Sequence, residues 1–225
     1  MSTTTKIAES IKQFGYLRNR DVAELLFAGN VRKAQRMTKQ AVEEGILTEK
    51  KTSSGSRFAT PDNAALLDNI TGHRDAANSI LINALTTGIA TGVISDRQIQ
   101  LNQPGYMLAG KLPDGLILDE YSEDFGKRTD YIWLEVENSE RSGRDVALIG
   151  DWIINQFMST RNWHVLPEYR AGFLSQILIA VSSKAAEKIE SRLISYIKRT
   201  YTSKMEVDFI NETLPKRLKF IEAFK

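Results

Sequence analysis

The sequence predicts a mixed α/β (α+β) protein in two parts, a helical head closed by a β-hairpin and a core in which helices and strands alternate. Three patterns predict it. Before residue 61, three apolar stripes recur at helical spacing and two short strand-like runs follow them. Beyond residue 70, alternating apolar runs stand between longer helical stripes. Residues 173–181, Phe-Leu-Ser-Gln-Ile-Leu-Ile-Ala-Val, are apolar enough for a buried central strand.

In the head, Ile7, Ala8 and Ile11 set the stripe of a helix over 4–13, which Gly15 stops. Asn19 is placed to cap a second helix, 20–27, with Val22, Leu25 and Leu26 as its apolar side. Ala28-Gly29-Asn30 makes a tight turn. A third helix then runs from Val31 to Glu44, with Ala34, Met37, Ala41 and Val42 inward, and Gly45 ends it. Residues 46–50 and 57–60 are strand-like around a polar turn, Thr52–Ser56. Three short helices, a tight turn before the third and a closing hairpin form the order of a winged helix-turn-helix domain, residues 1–62. The third helix carries Arg32, Lys33, Gln35, Arg36, Lys39 and Gln40 outward, residue types that reach phosphates and base edges in a major groove. Lys50, Lys51 and Arg57 would be the cations of the wing. A three-helix module that binds protein has the same element order.

The second domain is expected over 70–225. A short helix, 62–69, leads to Gly72-His73 and a longer helix, 74–87, with Ala77, Ile80, Leu81 and Leu85 inward. A strand is expected from Ile94 to Leu101, and a second within 106–118, broken by Lys111-Leu112-Pro113-Asp114-Gly115. Residues 120–129 look like a polar loop. The third strand, Tyr131–Glu137, puts Tyr131, Trp133, Glu135 and Glu137 on one face, because side chains alternate along a strand. A helix follows from Asp145 to about Ser159, striped by Leu148, Ile149, Trp152, Ile153 and Phe157. After the strand at 173–181 come a long amphipathic helix, 183–200, and a basic tail with little pattern.

Charge is unevenly spread. The net balance of +2 divides into +5 over residues 1–60, −7 over 61–145 and +4 over 146–225, which suits a polyanion held at the two ends or, more simply, solvated faces. Cysteine is absent, which excludes disulfides, thiolate metal sites and a cysteine nucleophile. An opening Met-Ser-Thr-Thr-Thr without an apolar signal region, and apolar runs too short for a bilayer, predict a cytoplasmic protein with no membrane partner.

The order α-β-β-β-α-β over 74–182, with Pro113-Asp114 opening one strand and Glu135-Val136-Glu137 closing the next, resembles the PD-(D/E)xK nuclease core. The resemblance implies catalytic Asp114 and Glu135 holding a divalent cation, Mg or Mn, that activates a water for phosphodiester cleavage. The lysine expected two residues after the second acid is missing, and Glu137 stands in its place. Lys111 and Arg144 are candidates for a relocated cation. Together with the head, His73 at a helix start and the stretch Glu135–Asp145, the chain resembles the replication-relaxation family and, within it, the MobC-like accessory proteins of mobilisable plasmids. This implies a double-stranded DNA partner and a relaxase partner at an origin of transfer. His73 and Arg141 join Lys111 and Arg144 as neighbours of the site, and a capping or packing role suits His73 equally. Two other readings stand beside the accessory protein. One is a metal-dependent endonuclease or nickase using Asp114 and Glu135. The other is a transcriptional repressor, dimerised through the amphipathic helix near the C-terminus.

Overall fold

The computed structural model describes residues 1–102, 110–123, 126–137, 143–158, 163–164, 172–182 and 186–224. The described chain is a mixed α/β structure divided into two compact units, Met1–Leu101 and Asn102–Lys225. The boundary expected between residues 62 and 70 falls inside the first unit.

The first unit opens with α1 (Thr3–Phe14), started by the Ser2 hydroxyl, which accepts from the Thr5 amide at 3.1 Å. Gly15 ends it at φ 83°, where a Cβ would stand 2.9 Å from Leu66 Cδ1. A two-residue strand, β1 (Leu17–Arg18), follows. Helix α2 (Asn19–Phe27) is capped differently from the expectation: Asp21 accepts from the Arg18 amide at 3.0 Å, while Asn19 Oδ1 accepts from Thr38 Oγ1 at 2.8 Å. Asn19 is thus spent joining α2 to α3 (Val31–Glu43). Asn30 caps α3, accepting from the Lys33 amide at 3.0 Å. Ala34, Thr38 and Ala41 are its buried residues, and Met37 and Val42 are only half-buried.

Strands β2 (Thr48–Thr52) and β3 (Gly55–Ala59) pair as a two-residue hairpin, and β1 pairs with the other edge of β3. The sheet order is β1-β3-β2, so β3 is central. A 3-10 segment, Pro61–Asn69, and helix α4 (Gly72–Thr86), capped by Thr71, continue the unit. It closes with β4 (Gly92–Ser95) and α5 (Asp96–Leu101). The strand expected over 94–101 therefore stops at Ser95. Ser95 Oγ accepts from the Gln98 amide at 3.2 Å and Gln98 Oε1 accepts from the Ser95 amide at 3.0 Å, a capping box that starts a helix.

In the second unit, β5 (Gly115–Glu123) and β6 (Gly126–Glu137) form one antiparallel hairpin, paired from Gly115↔Leu134 to Glu123↔Gly126. Residues 120–123 and 126–129, expected within a polar loop, are instead hairpin arms. Tyr121 donates to Asp130 Oδ2 at 3.2 Å, and Arg128 Nε donates to Asp130 Oδ1 at 3.1 Å. Helix α6 (Gly143–Met158) crosses to β8 (Gly172–Ser182), which lies parallel to β6. The other edge of β8 pairs with a short β7 (Trp163–His164) and, in parallel, with β9 (Leu218–Phe224). Between β8 and β9 lie α7 (Ala186–Thr200), α8 (Lys204–Glu212) and α9 (Leu214–Arg217).

The tail, expected to have little pattern, thus carries two helices and a strand. Helix α7 buries Ile189, Leu193 and Ile197, so its apolar stripe is docked within the chain. It meets α6 closely: a Cβ on Gly150 would stand 2.7 Å from the Tyr196 ring. On α6, Ile153, Ile154 and Phe157 are buried, whereas Leu148, expected in the stripe, is 60% exposed. Among the described residues, no helix is long and apolar enough to cross a membrane.

Candidate functional site

The first candidate surface is the outward side of α3. Ala34, Thr38 and Ala41 face the unit's core, which leaves Arg32, Lys33, Gln35, Arg36, Lys39 and Gln40 exposed. Lys33 Nζ stands 5.1 Å above the Phe27 ring, Lys39 pairs loosely with Glu43 at 3.7 Å, and Gln40 Nε2 donates to Glu44 at 2.7 Å. A groove of about 240 Å³ separates α3 from the hairpin, with Gln35 and Lys39 on one wall and Lys51 and Glu49 on the other. Lys51 is exposed, and Lys50 pairs with Asp68 at 3.1 Å.

Arg57 is a correction. It is 2% exposed, and its guanidinium donates to Asp75 of α4 at 2.6 and 3.2 Å and to the Ser54 and Gly55 carbonyls of the hairpin turn. It cannot reach a nucleic acid without leaving the core of the unit. It holds the hairpin onto α4 instead.

The second candidate site lies on β6. Trp133, Glu135 and Glu137 share the face that α6 covers, with Trp133 and Trp152 rings 4.9 Å apart. Glu135 and Glu137 are both buried, at 8% and 7% exposure. Asp114 arrives from the residue before β5. Its amide donates to the Leu134 carbonyl at 2.9 Å, while Asp114 Oδ2 accepts from the Val136 amide at 2.8 Å. The carboxylate thereby continues the ladder where Pro113, which has no N–H, ends the strand.

Lys111 supplies the cation. Its ammonium forms an ion pair with Glu135 Oε2 and stands 5.3 Å over the Trp152 ring. Trp133 Nε1 donates to Glu135 Oε1 at 2.6 Å, so both oxygens of Glu135 are engaged. Lys111, Glu135 and Glu137 line a small cavity of about 20 Å³, otherwise walled by apolar side chains such as Val146 and Ile179. That volume suits roughly one water. Burial pushes the Glu135 carboxyl above its ordinary range; Lys111 opposes the shift, and the neighbouring Asp114 adds to it.

A divalent cation takes six or more oxygens in this type of site. Here Glu135 gives both of its oxygens to protein donors and Asp114 gives one to a backbone amide. Among the described residues, no group of three His, Asp or Glu side chains lies together as a metal site. Lys111 and Trp133 on Glu135 and the Val136 amide on Asp114 therefore compete with a divalent cation for the same oxygens.

The remaining sequence candidates scatter. His73 is half-buried in the first turn of α4, in the other unit from the carboxylates. Arg144 is exposed in the first turn of α6. Arg141 lies outside the described residues. Sequence reasoning missed a second polar cluster: the Tyr196 and Tyr201 hydroxyls both donate to Asp151 Oδ1 at 2.8 Å, tying α6 to the end of α7. The spacing Asp151…Tyr196…Tyr201 carries no local signal for it.

Fold and sites together define a two-unit mixed α/β protein, with a cationic helix face in one unit and a lysine-neutralised carboxylate pocket in the other. Compared with protein-family models, curated proteins and solved structures, the chain matches none of them.

Proposed function

We propose that this chain is a DNA-binding accessory protein of plasmid-type conjugative mobilisation, acting with a relaxase at the origin of transfer. The observation that carries the DNA part is the outward face of α3, where Arg32, Lys33, Gln35, Arg36, Lys39 and Gln40 are all exposed. The setting of that helix supports it. The order α1-β1-α2-α3-β2-β3, with the sheet order β1-β3-β2, supports a winged helix-turn-helix reading. In that motif the third helix enters the major groove, and here Lys51 of the hairpin would lie on a flanking backbone. In the second unit, an antiparallel hairpin, a crossing helix and a parallel return strand support a PD-(D/E)xK-like core. We read that core as non-cleaving, because its acids are engaged by protein donors. The mobilisation role and the relaxase partner rest on the resemblance carried by the head, His73, Pro113-Asp114 and the stretch Glu135–Asp145.

Fluorescence anisotropy with a labelled duplex tests the reading. Binding should weaken as salt rises, because each neutralised phosphate releases counterions. Arg36→Ala should lower the slope of log affinity against log salt by about one unit, and Lys39→Ala by about half as much, because Lys39 shares its charge with Glu43. If both variants bind with the affinity and slope of the unaltered chain, α3 is not the interface. Supercoiled DNA with Mg or Mn should stay intact; cleavage abolished by Asp114→Ala would replace the accessory reading with a nickase.

A further inference from the structure

The carboxylate pocket of the second unit holds its own cation. The Glu135 side chain is 10% exposed, and an unpaired carboxylate at that depth is costly. Protein groups meet both of its oxygens, the Lys111 ammonium at Oε2 and the Trp133 indole N–H at Oε1. The ammonium is held twice, by Glu135 and by the face of Trp152 at 5.3 Å. Asp114, the other acid that a cation would need, is fixed by the Val136 amide. The strand break brings these groups together. Pro113 ends the ladder, and Lys111 lies two residues further back, on the same side as the Glu135 carboxylate.

We infer that Lys111 is the built-in counter-ion of Glu135, occupying by charge the place that a divalent cation holds in a nuclease of this topology, so that the pocket is complete without metal. The comparison with a nuclease rests on the proposed reading of the second unit, whereas the counter-ion role rests on the contacts alone. The pocket is then a fixed structural element joining β6 to α6. It is closed to the water activation that a bound metal would supply.

The consequence is a distinctive pattern of stabilities in the full chain. Thermal unfolding is followed for the unaltered protein, Lys111→Met and Lys111→Met/Glu135→Gln, each in EDTA and in millimolar MnCl₂, with calorimetric titration of Mn(II) into the unaltered protein. The unaltered protein should show one Tm in both solutions and no Mn(II) binding heat at the pocket. Lys111→Met should unfold several degrees lower in EDTA, because Glu135 is left buried and unpaired. The double variant should regain most of that loss, because the unpaired charge is gone.

A rise in Tm of the unaltered protein with Mn(II), abolished by Asp114→Ala, would overturn the inference. So would a double variant as unstable as Lys111→Met, which would assign the role of Lys111 to its packing on Trp152. If Lys111→Met does not fold, the Mn(II) response of the unaltered protein and the Tm of the double variant still decide. Duplex binding in EDTA is measured separately: its absence, with the stability pattern intact, overturns the DNA reading and leaves the counter-ion in place.

Discussion

Replacing Arg57 by Ala separates a DNA-contact residue from a structural one. The Arg57 side chain is 2% exposed and Asp75 is 12% exposed, and the guanidinium donates to both oxygens of that carboxylate. It also binds the Ser54 hydroxyl at 3.0 Å and the Gly55 carbonyl at 3.0 Å in the hairpin turn. Breaking a buried ion pair from one side leaves the other charge uncompensated and costs about 3–5 kcal/mol. Asp75 keeps some contact with solvent, which places the expected loss near the lower end, roughly 3 kcal/mol. Lys51→Ala, on the exposed strand of the same hairpin, should change stability by no more than about 0.5 kcal/mol. Urea unfolding of the full chain reads both, and Arg57→Ala/Asp75→Ala should recover part of the loss because the stranded charge is removed. An Arg57→Ala protein that keeps its stability but loses duplex binding would refute the structural role and restore the wing-contact reading.

Three further changes test the packing of the second unit and its tyrosines. Gly150→Ala puts a methyl group 2.7 Å from Tyr196 Cδ1 and should cost about 1–3 kcal/mol in denaturant unfolding, as overpacked sites do. Asp151→Asn should loosen α7 from α6, read as faster amide exchange over residues 193–201, since two phenols lose their shared charged acceptor. Burial, and then Asp151, holds the Tyr201 hydroxyl above its ordinary value of 10.0. A group whose pKa is raised on folding stabilises fully below its unfolded value and loses that contribution as pH rises through the folded one. Stability should therefore fall above pH about 10, and Tyr201→Phe should flatten that fall.

Regular periodicity made α1, α2, α3 and the buried strand β8 legible, because each buries one stripe or one continuous run. The errors have local physical causes. Ser95-Asp96-Arg97-Gln98 holds a capping box, and this local hydrogen bonding outweighed the alternation of Ile99 and Leu101 that suggested a strand. The arms at 120–123 and 126–129 carry mostly polar residues, so no apolar alternation marks them as strands. Strand β9 is short and preceded by three helical segments, and its partner β8 lies about forty residues back. At the sites, the shared face of Glu135 and Glu137 followed directly from strand alternation. Arg57 was misplaced because β3 is central only by virtue of β1, a two-residue strand with no periodicity to detect. Lys111 could be named from its spacing to Asp114, but its pairing with Glu135 depends on the break at Pro113.

The charge map narrows once these contacts are known. The basic head and acidic middle partly neutralise each other within the first unit: Lys12 pairs with Asp62, Lys50 with Asp68 and Arg57 with Asp75. Arg18 is likewise bound to Asp21 at 2.8 Å. These cations add to the sequence total but little to an external field. Arg32, Lys33, Arg36 and Lys39 of α3 and Lys51 of the hairpin remain as the exposed set at the proposed interface. At about 0.9 counterions per neutralised phosphate, five contacts set a ceiling near −4.5 for the log–log salt slope of duplex binding. Lys39 shares its charge with Glu43, which brings the expectation closer to −4. Anisotropy titrations across a salt series measure this slope directly. A much steeper slope would show that the basic residues of the second unit or a second copy of the chain also grip the duplex; a slope near zero would remove the electrostatic basis of the interface.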